Sequence, residues 1–234
     1  MKYSNLTIIG TSHIAAQSLK EVEEAFNREN PDIVAVELDR ARLHALMSSR
    51  KEKPGLSIIR KIGVKGYLFS VIGAWAEKKL GQMVGVSPGS EMKRAVMLAK
   101  KSGKRVALID QDIQITLRRF SKSLTWKEKW NFLADIVKAA VFRKKEIGFD
   151  LTKVPEKEVI EKMMAKVKDR YPNVYKTLIE ERNSVMAKNL AKMLAKEPDK
   201  KILAVVGAGH EEEIIRLVEK QEVAGDVKYT FAFG

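Results

Sequence analysis

The chain has 234 residues and no cysteine, and its 44 Lys and Arg against 30 Asp and Glu give a formal net charge of +14. That length can bury a substantial core, and the missing thiols exclude a disulfide scaffold, a cysteine nucleophile and any thiolate metal site. No apolar run reaches the ~18 residues of a membrane span, and Met1 to Asn5 lack a secretory signal, so a cytoplasmic location is expected.

Leu6-Thr7-Ile8-Ile9-Gly10 is a short apolar run ended by glycine, which predicts a buried strand. Helical spacing follows from Ile14 to Asn30 and stops at Pro31. Ile33 to Val36 predicts a second buried strand, with a helix from about Asp39 to Ser49 after it. Strand, helix and strand at this spacing favour a parallel pair with a right-handed crossover. Ile58 to Val84 reads as an amphipathic helix interrupted by glycines. A turn over Ser87 to Ser90 then feeds a helix from about Glu91 to Lys101, and Val106 to Asp110 predicts a third strand. From Gln114 to Lys196 only helical periodicity is visible, broken near Gly148, Pro155 and Pro172. The α/β pattern returns with a fourth strand over Lys201 to Gly207, a helix from about Glu211 to Lys220, and an edge strand over Val227 to Phe231. The expected class is α/β in one domain over 1–234, with a helical insertion over about 114–200.

Two of the three histidines occupy equivalent positions. Ile8-Ile9-Gly10-Thr11-Ser12-His13 and Val205-Val206-Gly207-Ala208-Gly209-His210 each join a buried strand, a glycine, two small residues and a histidine that opens a helix. In parallel α/β sheets, ligands sit beyond the carboxyl ends of the strands, where both imidazoles would lie. A helix N-terminus disfavours an imidazolium, so each histidine is expected to be neutral near pH 7 and suited to be a metal ligand or a base. His44, mid-helix, reads as a surface or packing residue.

Carboxylates gather at the same edge. Glu37 follows the second strand directly and Asp110 ends the third, while Glu91 opens a helix. The structural alternatives are a helix cap for Glu37 and a dipole partner for Glu91. Two histidines with two or three carboxylates suit a divalent metal with a position left for water. The spacing is not that of the HExxH zinc proteases.

Together these residues resemble a known family. The two Gly-x-x-His motifs, Val36-Glu37-Leu38-Asp39 with Arg42, Gly89-Ser90-Glu91-Met92, Asp110 to Arg119, and Glu181-Arg182-Asn183 with Met186 look like the TraB/PrgY proteins, in the same order. That family is grouped with the Tiki proteases and, more distantly, with ChaN-like and erythromycin-esterase-like proteins. The resemblance runs from about Thr7 to Lys220. It implies a central mixed, mostly parallel sheet flanked by helices, and a metal-dependent hydrolase acting on peptides, of the kind linked to pheromone shutdown. It implies His13, Glu37 and His210 as ligands of a divalent ion such as zinc, manganese or cobalt. Glu91 or Asp110 would act as general base, and Arg119 or Arg182 would hold a substrate carboxylate or an oxyanion. One departure is Asp110-Gln111-Asp112, where the family usually has Asp-Arg-Asp, so a basic group is missing. Family members also often continue into a hydrophobic membrane region.

Between Arg118 and Lys145 there are nine Lys and Arg and only two acids, interleaved with Phe120, Trp126, Trp130, Phe132 and Phe142. A basic amphipathic helix bordered by Trp suits an anionic membrane surface. The competing expectation is that Trp130 packs into the core or into a second subunit. The stripe Val159, Met163, Val167, Val174, Leu178 and Val185 also needs burial, which a homodimer would supply. No nucleic-acid signature accompanies the charge. The alternative functions are a non-catalytic peptide- or anion-binding protein at a membrane surface and, through the ChaN-like relatives, haem or metal-ion handling.

Overall fold

The structure is a computed structural model that describes residues 1–11, 16–48, 89–142, 157–221 and 230–233. His13, the helix expected over Ile58 to Val84, Gly148 and Pro155 lie outside the described residues.

Six strands form one sheet: β1 (Lys2–Tyr3), β2 (Leu6–Thr11), β3 (Ile33–Val36), β4 (Arg105–Leu108), β5 (Ile202–Gly207) and β6 (Thr230–Phe233). Their spatial order is β1-β2-β5-β3-β4-β6. The central four run parallel, while β1 and β6 pair antiparallel at the two edges. The sheet is therefore mixed and mostly parallel, as the family resemblance implies. The sequence-adjacent strands β2 and β3 do not pair, because β5 slots between them. β5 is buried along its whole length, which suits a central strand covered on both faces.

The alternation along each strand builds two cores. On one face Leu6, Ile8, Ile33, Ala35, Ile202, Ala204 and Val206 meet α8 (Glu181–Lys196) and α9 (Glu211–Gln221) through residues such as Met186, Leu190, Met193, Ile214 and Val218. On the other face Val34, Val36, Val106, Leu108, Leu203 and Val205 meet α1 (Ala16–Glu29), α2 (Arg40–Met47) and α3 (Ser90–Lys101). Helix α1 contributes Val22, Ala25 and Phe26, and α3 contributes Met92, Val96 and Ala99, each set at helical spacing. Full burial of each such large apolar side chain stabilises the fold by roughly 1.5–3 kcal/mol.

Between β4 and β5 the described residues are helical: α4 (Ile113–Ser123), α5 (Trp126–Phe142), α6 (Lys157–Arg170) and α7 (Pro172–Tyr175), then α8. Proline at its first position starts α7 where its missing N–H costs nothing. Helix α5 opens with a capping box, Glu128 N–H donating to Thr125 Oγ1 at 3.3 Å and Thr125 N–H to Glu128 Oε2 at 3.0 Å.

A π-helical turn over Lys176–Glu180 joins α7 to α8, with the Glu181 N–H bonded to the Lys176 carbonyl five residues back. The extra residue in that turn shifts the helix phase. The apolar face expected through Val174, Leu178 and Val185 is therefore not the core face of α8; Met186, Ala187, Leu190 and Met193 are fully buried instead. Trp126 and Trp130 are 75% and 66% exposed, so Trp130 does not pack into the core. Among the described residues no helix is long and apolar enough to cross a membrane.

Candidate active site

The register of the parallel strands brings the motif residues to one edge. Val36 is level with Val205 and with Leu108, so Glu37, Asp110 and the turn after β5 share the carboxyl end of the sheet. The two strands that carry the Gly-x-x-His motifs are neighbours, Gly10 level with Val206 and Thr11 with Gly207. Past the last pair, the Ala208 N–H donates to the Thr11 carbonyl at 2.8 Å.

Glu37, Asp110 and His210 are all buried, at 3%, 9% and 6% exposure. Buried carboxylates are costly unless paired, and the pairing here comes from Arg182 on α8. Its Nη2 donates to Asp110 Oδ2 at 2.6 Å and also to Glu37 Oε1, and its Nε reaches both Asp110 oxygens at 3.1 and 3.2 Å. Its Nη1 donates to the Leu178 carbonyl in the π turn at 3.2 Å. Burial disfavours the Arg182 charge, but the Glu37 and Asp110 carboxylates outweigh it and hold the guanidinium pKa above the ordinary arginine value.

A second arginine extends the network. Arg42 Nη2 donates to Asp110 Oδ2 and its Nε to Asp39 Oδ2 at 3.0 Å. Asp39 also caps α2 by accepting the Arg42 N–H at 2.9 Å, and it receives the Ile113 N–H of α4 at 3.0 Å. The cap expected of Glu37 thus belongs to Asp39. Glu37 instead accepts the Gly207 N–H through Oε2 at 2.6 Å, fixing the turn that leads to His210.

His210 is held from the other side. Its Nδ1 lies 2.6 Å from Asn183 Oδ1, and an amide oxygen can only accept, so Nδ1 carries a proton. Nε2 then faces Arg182 Nη1 at 3.5 Å and Glu37 Oε1 at 3.5 Å. A neutral imidazole in this tautomer presents its Nε2 lone pair to the site, as a metal ligand or base requires.

Two of the donors stand at the spacing that neighbouring ligands of one ion would have. Two adjacent ligands each about 2.0–2.2 Å from a tetrahedral ion stand roughly 3.5 Å apart, the separation of Glu37 Oε1 and His210 Nε2. Ligating histidines commonly donate their other N–H to a carboxylate, a backbone carbonyl or water; here the Asn183 side-chain oxygen stands in that place. Among the described residues no three His, Asp or Glu side chains are grouped for metal binding. The third ligand expected from the resemblance is His13. Arg182 shares Glu37 Oε1, so a bound ion would share or displace its guanidinium.

Glu37, Asp110, Arg182 and His210 therefore come together. Glu91 is buried in the first turn of α3, where the helix dipole favours a carboxylate. Arg119 stands apart, 56% exposed and paired with Glu181 Oε2 at 3.0 Å. Gln111, at the departure from the family pattern, donates through Nε2 to Thr116 Oγ1 at 2.9 Å. The cations around Asp110 are Arg42 and Arg182. Sequence reasoning gave no role to Arg42 or Asn183. Asp39-x-x-Arg42 at a helix start is a readable capping pattern, but nothing in the sequence pairs Asn183 with His210.

The model of the TraB/PrgY/gumN family matches residues 2–225. An uncharacterized protein of Methanocaldococcus jannaschii is 35% identical over 228 residues, covering 95% of this chain and 55% of the relative. TraB domain-containing proteins of Bos taurus and Homo sapiens are 27% and 25% identical, each over 88% of this chain and covering 60% and 61% of theirs. The chain thus spans little more than half the length of these relatives. With the family model matched over residues 2–225 of the 234, the chain belongs to the TraB/PrgY/gumN family.

Proposed function

We propose that this TraB-type chain is a metal-dependent hydrolase acting on peptides. The observation that carries the reading is the buried meeting of Glu37, Asp110, Arg182 and His210 at the carboxyl ends of parallel strands. No packing requirement places three buried ionisable groups around one guanidinium, and such clusters concentrate where chemistry is done. Asp110, the cluster carboxylate left outside the ion's ligands, takes a proton from water and returns it to the leaving nitrogen. His210, with Nδ1 fixed by Asn183, keeps its Nε2 lone pair for the ion, and Arg182 supplies positive charge to the developing oxyanion. A divalent ion would be held by His210 Nε2 and Glu37 Oε1 together with His13. When bound, such an ion contributes Lewis-acid charge at the reacting centre.

The test is a mass-spectrometric screen of a peptide mixture with the native chain, loaded in turn with zinc, manganese and cobalt. Cleavage is expected, and it should fall at least about 100-fold in His210→Ala. Equal cleavage by the two proteins, or none with any ion, would set the reading aside.

A second reading, a binding protein at a membrane surface, is favoured by the two exposed tryptophans of α5. Lys129 Nζ lies 4.4 Å from the Trp126 ring, a pairing of cation and aromatic suited to an anionic headgroup layer. Sedimentation with anionic vesicles at low salt tests it, and loss of binding in the Trp126→Ala, Trp130→Ala double variant is the expected result.

A further inference from the structure

Glu37 and His210 are held in the same manner. Each anchors one polar atom in a bond that an ion would leave untouched. Glu37 Oε2 accepts the Gly207 N–H at 2.6 Å, and His210 Nδ1 donates to Asn183 Oδ1 at 2.6 Å. Each also turns its other polar atom toward Arg182. Glu37 Oε1 accepts from Arg182 Nη2, and His210 Nε2 lies 3.5 Å from Arg182 Nη1. The two atoms at the spacing of neighbouring metal ligands therefore both face a guanidinium.

A guanidinium and a divalent ion repel each other, and the more strongly where water is scarce. The Arg182 side chain is only 14% exposed, so solvent screens little of that repulsion. Arg182 has other partners in reach. Its Nε meets both Asp110 oxygens at 3.1 and 3.2 Å, and its Nη2 reaches Asp110 Oδ2 at 2.6 Å. Its Nη1 donates to the Leu178 carbonyl at 3.2 Å, in the π turn that precedes α8. None of these bonds involves Glu37. A guanidinium that releases Glu37 Oε1 thus keeps a carboxylate and a carbonyl, and is not left buried without partners.

We propose that Arg182 is an exchangeable cation, which occupies Glu37 Oε1 in the metal-free protein and withdraws onto Asp110 when a divalent ion takes Oε1 and His210 Nε2. The exchange keeps the buried carboxylates paired in both states and lowers the affinity for the ion. It rests on the metal part of the hydrolase reading.

The experiment measures zinc affinity near neutral pH by competition with a chromophoric chelator. It compares the native chain with Arg182→Gln and Arg182→Lys at folded fractions matched by circular dichroism, with His210→Ala as the background. Arg182→Gln should bind zinc roughly tenfold or more tightly than the native chain. Arg182→Lys, whose ammonium lacks the fork of a guanidinium, should fall between the two. A second measurement needs no variant and decides alone if Arg182→Gln does not fold. In the native chain with isotope-labelled arginine, the Arg182 Nε–H resonance, assigned through its own side-chain correlations, should shift with zinc and saturate along the chelator curve. Zinc binding no tighter in folded Arg182→Gln, or native zinc binding that leaves the Arg182 resonance unmoved, would overturn the exchange and leave the metal reading standing. Binding no better than His210→Ala in every protein would overturn both. The expected changes without peptide cleavage by the native chain keep the exchange and remove the hydrolase reading.

Discussion

Asn183 Oδ1 accepts the Nδ1 proton of His210 at 2.6 Å, and this bond decides which imidazole nitrogen faces the carboxylates. Both residues are buried, at 1% and 6% exposure, so water does not substitute readily for either partner. In Asn183→Leu the Nδ1 proton loses its acceptor, at a cost of about 1–3 kcal/mol. The cost should be visible in urea unfolding. The Nδ1–H resonance of His210 should also shift or vanish in proton NMR, which a purely steric effect on packing would not produce.

Arg182 pairs with Glu37 and Asp110 together, and its removal takes the guanidinium from buried Glu37 and leaves Asp110 with Arg42 alone. Arg182→Met should therefore destabilise the protein by about 3–5 kcal/mol near neutral pH. Arg182→Lys should recover only part of the loss, since an ammonium cannot bond in the forked manner of a guanidinium. Urea unfolding of the two variants near pH 7 checks both expectations.

Glu128 gives a separate pH signature. Burial works against its charged form, but the N–H groups of Thr125 and Asn173 outweigh that and hold its pKa below 4.5. Asn173 donates from both its backbone N–H, at 2.8 Å, and its side chain, at 3.1 Å, so Glu128 ties α5 to α7. A depressed carboxylate pKa contributes stability that is full above the unfolded value and lost as pH falls through the folded one. The stability gap between the native chain and Glu128→Gln should be constant above about pH 5 and narrow below 4.5.

The π turn makes a prediction that ordinary helical periodicity contradicts. Continued from Val174 and Leu178, an unbroken α-helix would bury Val185; with the turn, Met186 is fully buried and Val185 only partly. Met186→Ala should cost about 2–5 kcal/mol, and Val185→Ala well under half of that. Thermal unfolding of the two variants compares them directly.

Much of this architecture is legible in the residues. The apolar runs ending at Gly10, Val36, Leu108 and Gly207 mark the four parallel strands because each is buried on both faces. Glu37, Asp110 and His210 are legible as a group because they follow three of those runs. The strand order is not legible. β5 pairs with both β2 and β3 across long stretches of chain, which local patterning does not encode. The two-residue strand β1 is too short to carry an alternation signal. The π turn is equally silent, since Lys176 to Glu180 read as ordinary helix, and with it goes the aim of Arg182 and Asn183. Arg119 shows the converse: its place in the motif suggests the site, yet its side chain lies in a surface pair with Glu181.

The central claim is that Glu37, Arg182 and His210 form a working hydrolytic centre. The most direct measurement is the rate of peptide cleavage by the metal-loaded native chain beside Glu37→Gln, with folded fraction matched by circular dichroism. Glutamine keeps the shape and can still accept the Gly207 N–H, but its neutral amide is a poorer ligand for a divalent ion than a carboxylate. The account predicts a loss of roughly 100-fold or more in Glu37→Gln with the fold retained. A folded Glu37→Gln variant that cleaves at the native rate would contradict it.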